Sequence, residues 1–248
     1  MATGEEHVVL IIADISGYTQ FMVSSRNELT HGQWIIGELV QTIIKQVEIP
    51  LEVAKLEGDA VFLYAVKEHH QMDWEAIRRQ IGVKLLRFFE VFSSKVAELS
   101  LSHQCQCGTC SNIDKLKLKL IAHSGVALFY QMGRFEELSG VDVIIVHRLL
   151  KNSVPAHEYI LLTESAYRDI MFPEQIAVTE GAEQYEAIGN VKTYTYFPPS
   201  AEKYIAEYKA QHKPIAKDWN NRLGLHTLLT KLGLRRAGKF NHLPLLSQ

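Results

Sequence analysis

Two aspartates and one cysteine cluster carry the residue types best suited to chemistry. Asp14 ends the apolar run VVLIIAD and is followed by ISGYT, which supplies a glycine, an aromatic and a hydroxyl. Asp59 stands in LEVAKLEGDAVFLYAV, beside Glu57 and Gly58, between two short apolar runs. Sequential strands adjoin in most sheets, so carboxylates at their ends can converge. Hard cations such as Mg²⁺ are held by one or two carboxylates plus substrate phosphates, so such a pair suits a nucleotide-metal site. Gly17 and Gly58 let backbone approach a ligand that side chains would exclude. The plainer alternative is that each aspartate only caps or turns the chain. The third candidate is HQCQCGTC, where His103, Cys105, Cys107 and Cys110 fit H-x-C-x-C-x-x-C. Three thiolates and an imidazole can hold Zn²⁺ tetrahedrally; reduced free thiols and a redox sensor are the other readings. Three cysteines in one cluster fit a disulfide framework poorly, because one thiol is left over.

The elements that must position these groups are legible in the periodicity. Residues 7–14 read as a strand covered on both faces. Ile35, Ile36, Leu39, Val40, Ile43, Ile44 and Val47 form the stripe of a core-facing helix, with Pro50 just beyond. The segment around Glu57, Gly58 and Asp59 reads as a hairpin with an acidic tip. A long amphipathic helix runs from Trp74 to Leu99. In KLKLKLIAHSG, strict alternation puts Leu116, Leu118 and Leu120 on one face and Lys115, Lys117 and Lys119 on a solvated one. Gly125 to Tyr130 reads as a further strand, Gly140 to Lys151 as helix-like, and EYILLTESAYRDI as strand, N-cap at Thr163, then helix. This order predicts an α+β domain with a central sheet and helices packed on one side of it.

The bulk numbers narrow the partners. With 248 residues, 47% of them hydrophobic, the chain can bury one sizeable core. We expect a domain over 1–199, with a cysteine-bearing loop 102–112 inserted, and a basic, leucine-bearing extension over 200–248. A formal charge of -2 gives no global field for nucleic acid or an anionic membrane. The lysine-faced strand lacks the interleaved aromatics of a single-strand binder, so no nucleic-acid partner is expected. MATGEEHVV has acids where a secretory signal carries lysines, and no apolar stretch is long enough to span a bilayer, so a cytoplasmic protein is expected. The extension either lies on a membrane surface or packs on the core or a second subunit. Gly224, Gly233 and Gly238 weaken an isolated amphipathic helix and favour packing. No G-x-x-x-x-G-K-[ST], G-x-S-x-G or H-E-x-x-H motif occurs.

Several segments, in order, resemble the catalytic domains of class III adenylate and guanylate cyclases. ADISGYT is similar to F-x-D-I-x-G-F-T, and KLEGDAVFLY to K-x-x-G-D-x-x-x-A. IAHSG followed by GVDVIIVHRLL resembles I-G-I-H-x-G followed by G-D-x-V-N-x-A-A-R-L, and ILLTESAYRDI resembles I-L-V-S-E-x-x-Y-x-x-L. The likeness spans roughly residues 7–197 and marks a divergent cyclase-like branch. It implies the ferredoxin-like nucleotide cyclase fold, with a mostly antiparallel sheet.

By this resemblance Asp14 and Asp59 hold two divalent cations, Mg²⁺ or Mn²⁺, with the Ile15 carbonyl as a third oxygen donor. Gly17, Tyr18 and Thr19 belong to the nucleotide site, Lys55 matches the lysine that reads the purine edge, and Glu137 completes that reading. A carboxylate accepts from an adenine amino group, which favours ATP. Arg148 matches the arginine that stabilises transition-state charge at the phosphate, and Lys192 is the candidate for the triphosphate lysine. The resemblance also implies a homodimer, with Lys55 and Arg148 supplied from the opposing chain. Ile144 is the departure, standing where the family has the asparagine that orients the ribose and having no donor or acceptor. His147 either reaches a phosphate or is a partly buried helix histidine, and Asp142 reads as a first-turn acid on a helix dipole. The expected function is a nucleotide cyclase-like protein that binds a purine nucleoside triphosphate, ATP preferred, with divalent metal and forms cyclic AMP. The alternatives are a catalytically degenerate nucleotide-binding or regulatory module and, third, chemistry on another phosphate substrate.

Overall fold

The computed structural model describes residues 4–25, 29–69, 71–102, 109–199 and 201–211. The chain runs β1 (Gly4–Ser16), α1 (Tyr18–Ser24), α2 (Leu29–Ile44), β2 (Glu52–Glu57), β3 (Ala60–Val66) and α3 (Trp74–Ser102). After a 3-10 turn over Cys110–Lys115 come β4 (Lys117–Met132), β5 (Phe135–Ser139) and α4 (Val141–Arg148). β6 (Tyr159–Thr163), α5 (Glu164–Asp169), β7 (Val178–Tyr185), β8 (Gly189–Tyr196) and α6 (Ala201–Gln211) complete it.

Among the described residues the strands form one sheet, ordered β2-β3-β1-β4-β6-β8-β7, with β5 paired to the far half of β4. Every pairing is antiparallel except β4 with β6. The α+β architecture with a mostly antiparallel sheet is as the sequence predicts. KLKLKL and Gly125–Tyr130 are one continuous strand rather than two, because β1 pairs along β4 from Lys117 to Phe129 without a break.

β1 lies between β3 and β4, which explains its uniformly apolar centre. Val9, Ile11, Ala13 and Ile15 pack on one face with Ile35, Leu39 and Ile43 of α2 and Ile81, Leu85 and Phe88 of α3. Ile205 of α6 joins this layer, as do Leu116, Leu118 and Leu120. Val8, Leu10 and Ile12 point the other way, into a second layer with Phe62, Ile121, Leu161, Val146 of α4 and Leu149, which caps that helix. Helices therefore cover both faces, not one side. A central strand with apolar residues at every position needs cover above and below, and each large side chain so buried contributes about 1.5–3 kcal/mol. Among the described residues no helix is long and apolar enough to cross a membrane.

Candidate functional site

β1 and the β2–β3 hairpin bring the two aspartates together. Asp14 pairs with Ala60 as the last register pair between β1 and β3, and Asp59 is the residue before Ala60. Gly58 has φ 69°, a left-handed turn conformation that glycine adopts without strain. Burial, and secondarily the negative charge of Asp14, raise the Asp59 carboxyl from 3.8 to about 6. The two carboxyl groups thus share one electrostatic site.

Lys119 completes that site, and the sequence reading placed it on a solvated face. It stands opposite Asp14 in the β1–β4 register, and its Nζ lies 3.0 Å from Asp14 Oδ2. The same ammonium donates to the Leu150 carbonyl at 3.3 Å. Its side chain is only 19% exposed, held between Asp14 and the turn that follows α4.

β2, β5 and α4 meet in a second polar cluster. Lys55 Nζ lies 3.1 Å from both carboxylate oxygens of Glu137, 82 residues away in sequence. His147 Nδ1 lies 2.8 Å from the Val143 carbonyl, and Nε2 lies 3.2 Å from Glu57 Oε2. The ring also meets Phe62 edge-on. In this structure His147 ties α4 to the acidic hairpin. Ile144 and Arg148, one turn apart on α4, line an open cavity of about 440 Å³ with Val143, His147, Lys151 and Tyr185. Ile144 is 52% exposed, so this position offers apolar surface and no hydrogen bond.

Asp142 is more than a first-turn acid on a helix dipole. Its Oδ1 accepts from His123 Nε2 at 2.8 Å and its Oδ2 from the Val126 backbone N–H at 2.7 Å. His123 is buried, and its Nδ1 lies 2.9 Å from Thr163 Oγ1. A Cβ on Gly125 would stand 2.1 Å from Asp142 Cγ, so only glycine admits this carboxylate. The segment IAHSG therefore clamps the start of α4 onto β4. The sequence signal was the pairing of His123 and Gly125 with an early helix acid.

The remaining predicted residues fall as follows. Ile15 directly follows the last β1–β3 register pair and its side chain is buried. Gly17 turns the chain with φ 88° into α1, whose first residues are Tyr18, packed on the core, and Thr19, exposed. Lys192 is not brought to the carboxylates. β8 runs antiparallel to β6, with Thr193 opposite Thr163, whereas Tyr159, the β6 partner of Lys119, lies at the other end of that strand. Lys192 instead faces Glu164 at 3.7 Å and Glu180 at 3.5 Å. His103, Cys105 and Cys107 lie outside the described residues, as does 212–248, while Cys110 opens the 3-10 turn.

Among the described residues no three His, Cys, Asp or Glu side chains cluster as a metal site. The Asp14–Asp59 pair matches the smaller demand of Mg²⁺ or Mn²⁺, which takes one or two carboxylates and completes its shell with water and substrate phosphates. The negative charge of Asp14 opposes ionisation of Asp59, an arrangement that a bound dication relieves.

Comparison with known proteins agrees with this architecture. The chain is similar to a bacterial light-regulated adenylyl cyclase, with TM-score 0.59 and 15% identity over 85% of this chain, and it spans 58% of that longer chain. It matches the catalytic core of a rhodopsin-guanylyl cyclase with converted specificity, solved with ATPαS, with TM-score 0.57 and 16% identity over 80% of this chain and 100% of that one. It also matches the adenylyl cyclase CyaB from P. aeruginosa, with TM-score 0.53 and 14% identity over 81% and 98% of the two chains. The likeness shows a shared fold, that of the nucleotide cyclase domain. The uncharacterized protein Rv2561/Rv2562 of Mycobacterium tuberculosis is 29% identical over 203 residues, 82% of this chain and 91% of that protein. A family model matches residues 36–159, and the chain belongs to that family, described as Protein of unknown function (DUF2652).

Proposed function

We propose that this protein binds ATP together with a divalent cation at Asp14 and Asp59 and converts it slowly to cyclic AMP. The observation that carries the reading is the convergence of Asp14, Asp59 and Lys119 at adjoining strand ends. Bound Mg²⁺ or Mn²⁺ would make the ribose 3′-hydroxyl more acidic and neutralise the triphosphate. The carboxylates would hold the cations, with the Ile15 carbonyl as a further donor, and the backbone at Gly17, Tyr18 and Thr19 would border the phosphates. Lys119 sits where a phosphate oxygen drawn to the carboxylate-bound cation would also meet an ammonium. Lys55 and Glu137, already paired, offer a donor and an acceptor side by side. Adenine presents the matching ring-nitrogen acceptor and amino donor. Arg148 would stabilise charge developing at the α-phosphate.

The site is proposed to lie between two copies of the chain, each supplying Lys55 and Arg148 to the other's carboxylates. Exposed apolar side chains support this: Leu56 on β2 and Val141 and Ile144 on α4, the elements that carry those residues, and Met132 and Phe135 on the paired strands β4 and β5. Such a concentration of apolar surface is typical of a protein interface.

A second reading, nucleotide binding without turnover, is favoured by Ile144. An apolar residue where the ribose must be oriented costs about a hundredfold in rate through lost positioning. The test is incubation of purified protein with ATP or GTP and Mn²⁺, followed by chromatography of the nucleotide products. Cyclic AMP that disappears with Asp14→Ala supports the enzyme, and nucleotide bound but unchanged supports the module. Absence of metal-dependent nucleotide binding overturns both.

A further inference from the structure

The carbonyls of Leu149, Leu150 and Lys151, which follow α4, are each held by a side-chain donor. Leu149 accepts from Asn152 Nδ2 at 2.7 Å, Leu150 from Lys119 Nζ at 3.3 Å and Lys151 from the Tyr185 hydroxyl at 3.0 Å. Carbonyls at a helix end lack partners within the helix, so such donors decide how the chain leaves it. Asn152 is the centre of this turn. The Val154 N–H can only donate, which fixes Asn152 Oδ1 as its acceptor at 3.0 Å, and the Leu149 carbonyl can only accept, which fixes Nδ2 on the other side. The Tyr159 hydroxyl sits against the same amide, 2.8 Å from Nδ2 and 3.0 Å from Oδ1. Tyr159 is 3% exposed and is the β6 partner of Lys119 in the β4–β6 register. Burial, above all, pushes its phenol above the ordinary range, so the hydroxyl keeps its proton. Ser153 donates to Glu183 Oε1 from its N–H at 3.0 Å and from its hydroxyl at 2.7 Å, and Glu183 is only 8% exposed. The turn is thus fastened to β6 through Tyr159 and to β7 through Glu183 and Tyr185.

We propose that Asn152 and Tyr159 are positioning residues for Lys119. They fix the turn after α4, the turn fixes the Leu150 carbonyl, and that carbonyl holds the ammonium where it meets a bound triphosphate. Only the last step rests on the ATP reading above. A lysine ammonium is a point charge on a flexible four-carbon stem, and Asp14 alone would leave that stem free to swing. A second acceptor on a fastened turn removes the freedom, and the two acceptors engage two of the three N–H bonds of the ammonium. Among the described residues neither Asn152 nor Tyr159 hydrogen-bonds to Asp14, Asp59 or Lys119, so their influence on a ligand passes through the turn.

Acylation of lysines in the full-length protein, followed by peptide mass mapping, reads the ammonium directly and needs no nucleotide. Lys119, 19% exposed, should react more slowly than Lys55, 51% exposed. In Asn152→Ala the Lys119 rate should rise about fivefold, the opening that one lost hydrogen bond allows, while the Lys55 rate stays as it is. Tyr159→Phe, which removes one oxygen and keeps the ring, should shift the rate the same way by less. ATP affinity in the presence of Mn²⁺ should fall about threefold to thirtyfold in Asn152→Ala, and this loss should vanish when Lys119→Gln is already present. A merely structural role would not produce that coupling. Unchanged Lys119 reactivity in both variants overturns the proposal. So does a loss of ATP affinity that is equal with and without Lys119. A Lys119 that becomes reactive in the variants of a protein that binds no ATP upholds the positioning and overturns the ATP reading instead. Should Asn152→Ala not fold, Tyr159→Phe carries both measurements.

Discussion

Lys119 Nζ lies 3.0 Å from the Asp14 carboxylate, an internal cation beside the carboxyl pair that would hold an external one. The ammonium keeps Asp14 paired when no metal is bound, and it competes with any dication that arrives alone. Lys119→Gln should therefore strengthen Mn²⁺ binding measured without nucleotide. The same change should weaken ATP binding about 10- to 100-fold, the worth of one charged hydrogen bond. Titration calorimetry with each ligand separately reads both signs, and weaker binding of both would contradict this arrangement.

Asp59 makes the metal-free protein sensitive to acid in an unusual direction. Its folded-state carboxyl titrates at about 6, against 3.8 for the ordinary group. A raised carboxyl contributes stability below the unfolded value and loses it as pH rises through the folded one. Between pH 4 and pH 6, wild type should lose about 1–2 kcal/mol relative to Asp59→Asn, a figure reduced for solvent screening. Denaturant melts of both proteins across that window measure the difference. Mn²⁺ at pH 7 should restore stability to wild type and not to the variant.

Gly125 should tolerate no side chain. In Gly125→Ala the new Cβ would overlap the Asp142 carboxylate, which must leave its bonds to His123 and the Val126 N–H. Loss of two hydrogen bonds to a charged, partly buried group should destabilise the fold by about 2–4 kcal/mol. Thermal and urea unfolding check this, and a change below about 0.5 kcal/mol would remove the clamp from the account.

Ile144→Asn tests the departure from the cyclase pattern. The side chain is half exposed, so stability should change by less than about 0.5 kcal/mol. An asparagine supplies the donor and acceptor that isoleucine lacks, and cyclic AMP formation should rise by up to about a hundredfold with little change in ATP affinity. Product analysis beside a binding isotherm separates these effects.

Much of this arrangement was legible in local pattern. The apolar run to Asp14, the hairpin at Gly58 and the alternation of Leu116, Leu118 and Leu120 are features of period and turn chemistry, which sequence displays directly. What was not legible depends on register between distant strands. Lys119 reads as solvated until β1 places Asp14 opposite it. Asp142 reads as a helix-start acid until His123 and the Val126 N–H meet it from β4. α4 was placed with the other helices because an eight-residue helix announces no preferred face of the sheet. β7 is largely exposed and polar, so it lacks the apolar alternation that marked the inner strands.

The most direct measurement of the central claim is the affinity of ATP for the purified protein with and without Mn²⁺, repeated with Asp14→Ala and Asp59→Ala. The account predicts metal-dependent binding in wild type that falls at least about tenfold in each variant. ATP affinity that ignores both the metal and the two substitutions would contradict it.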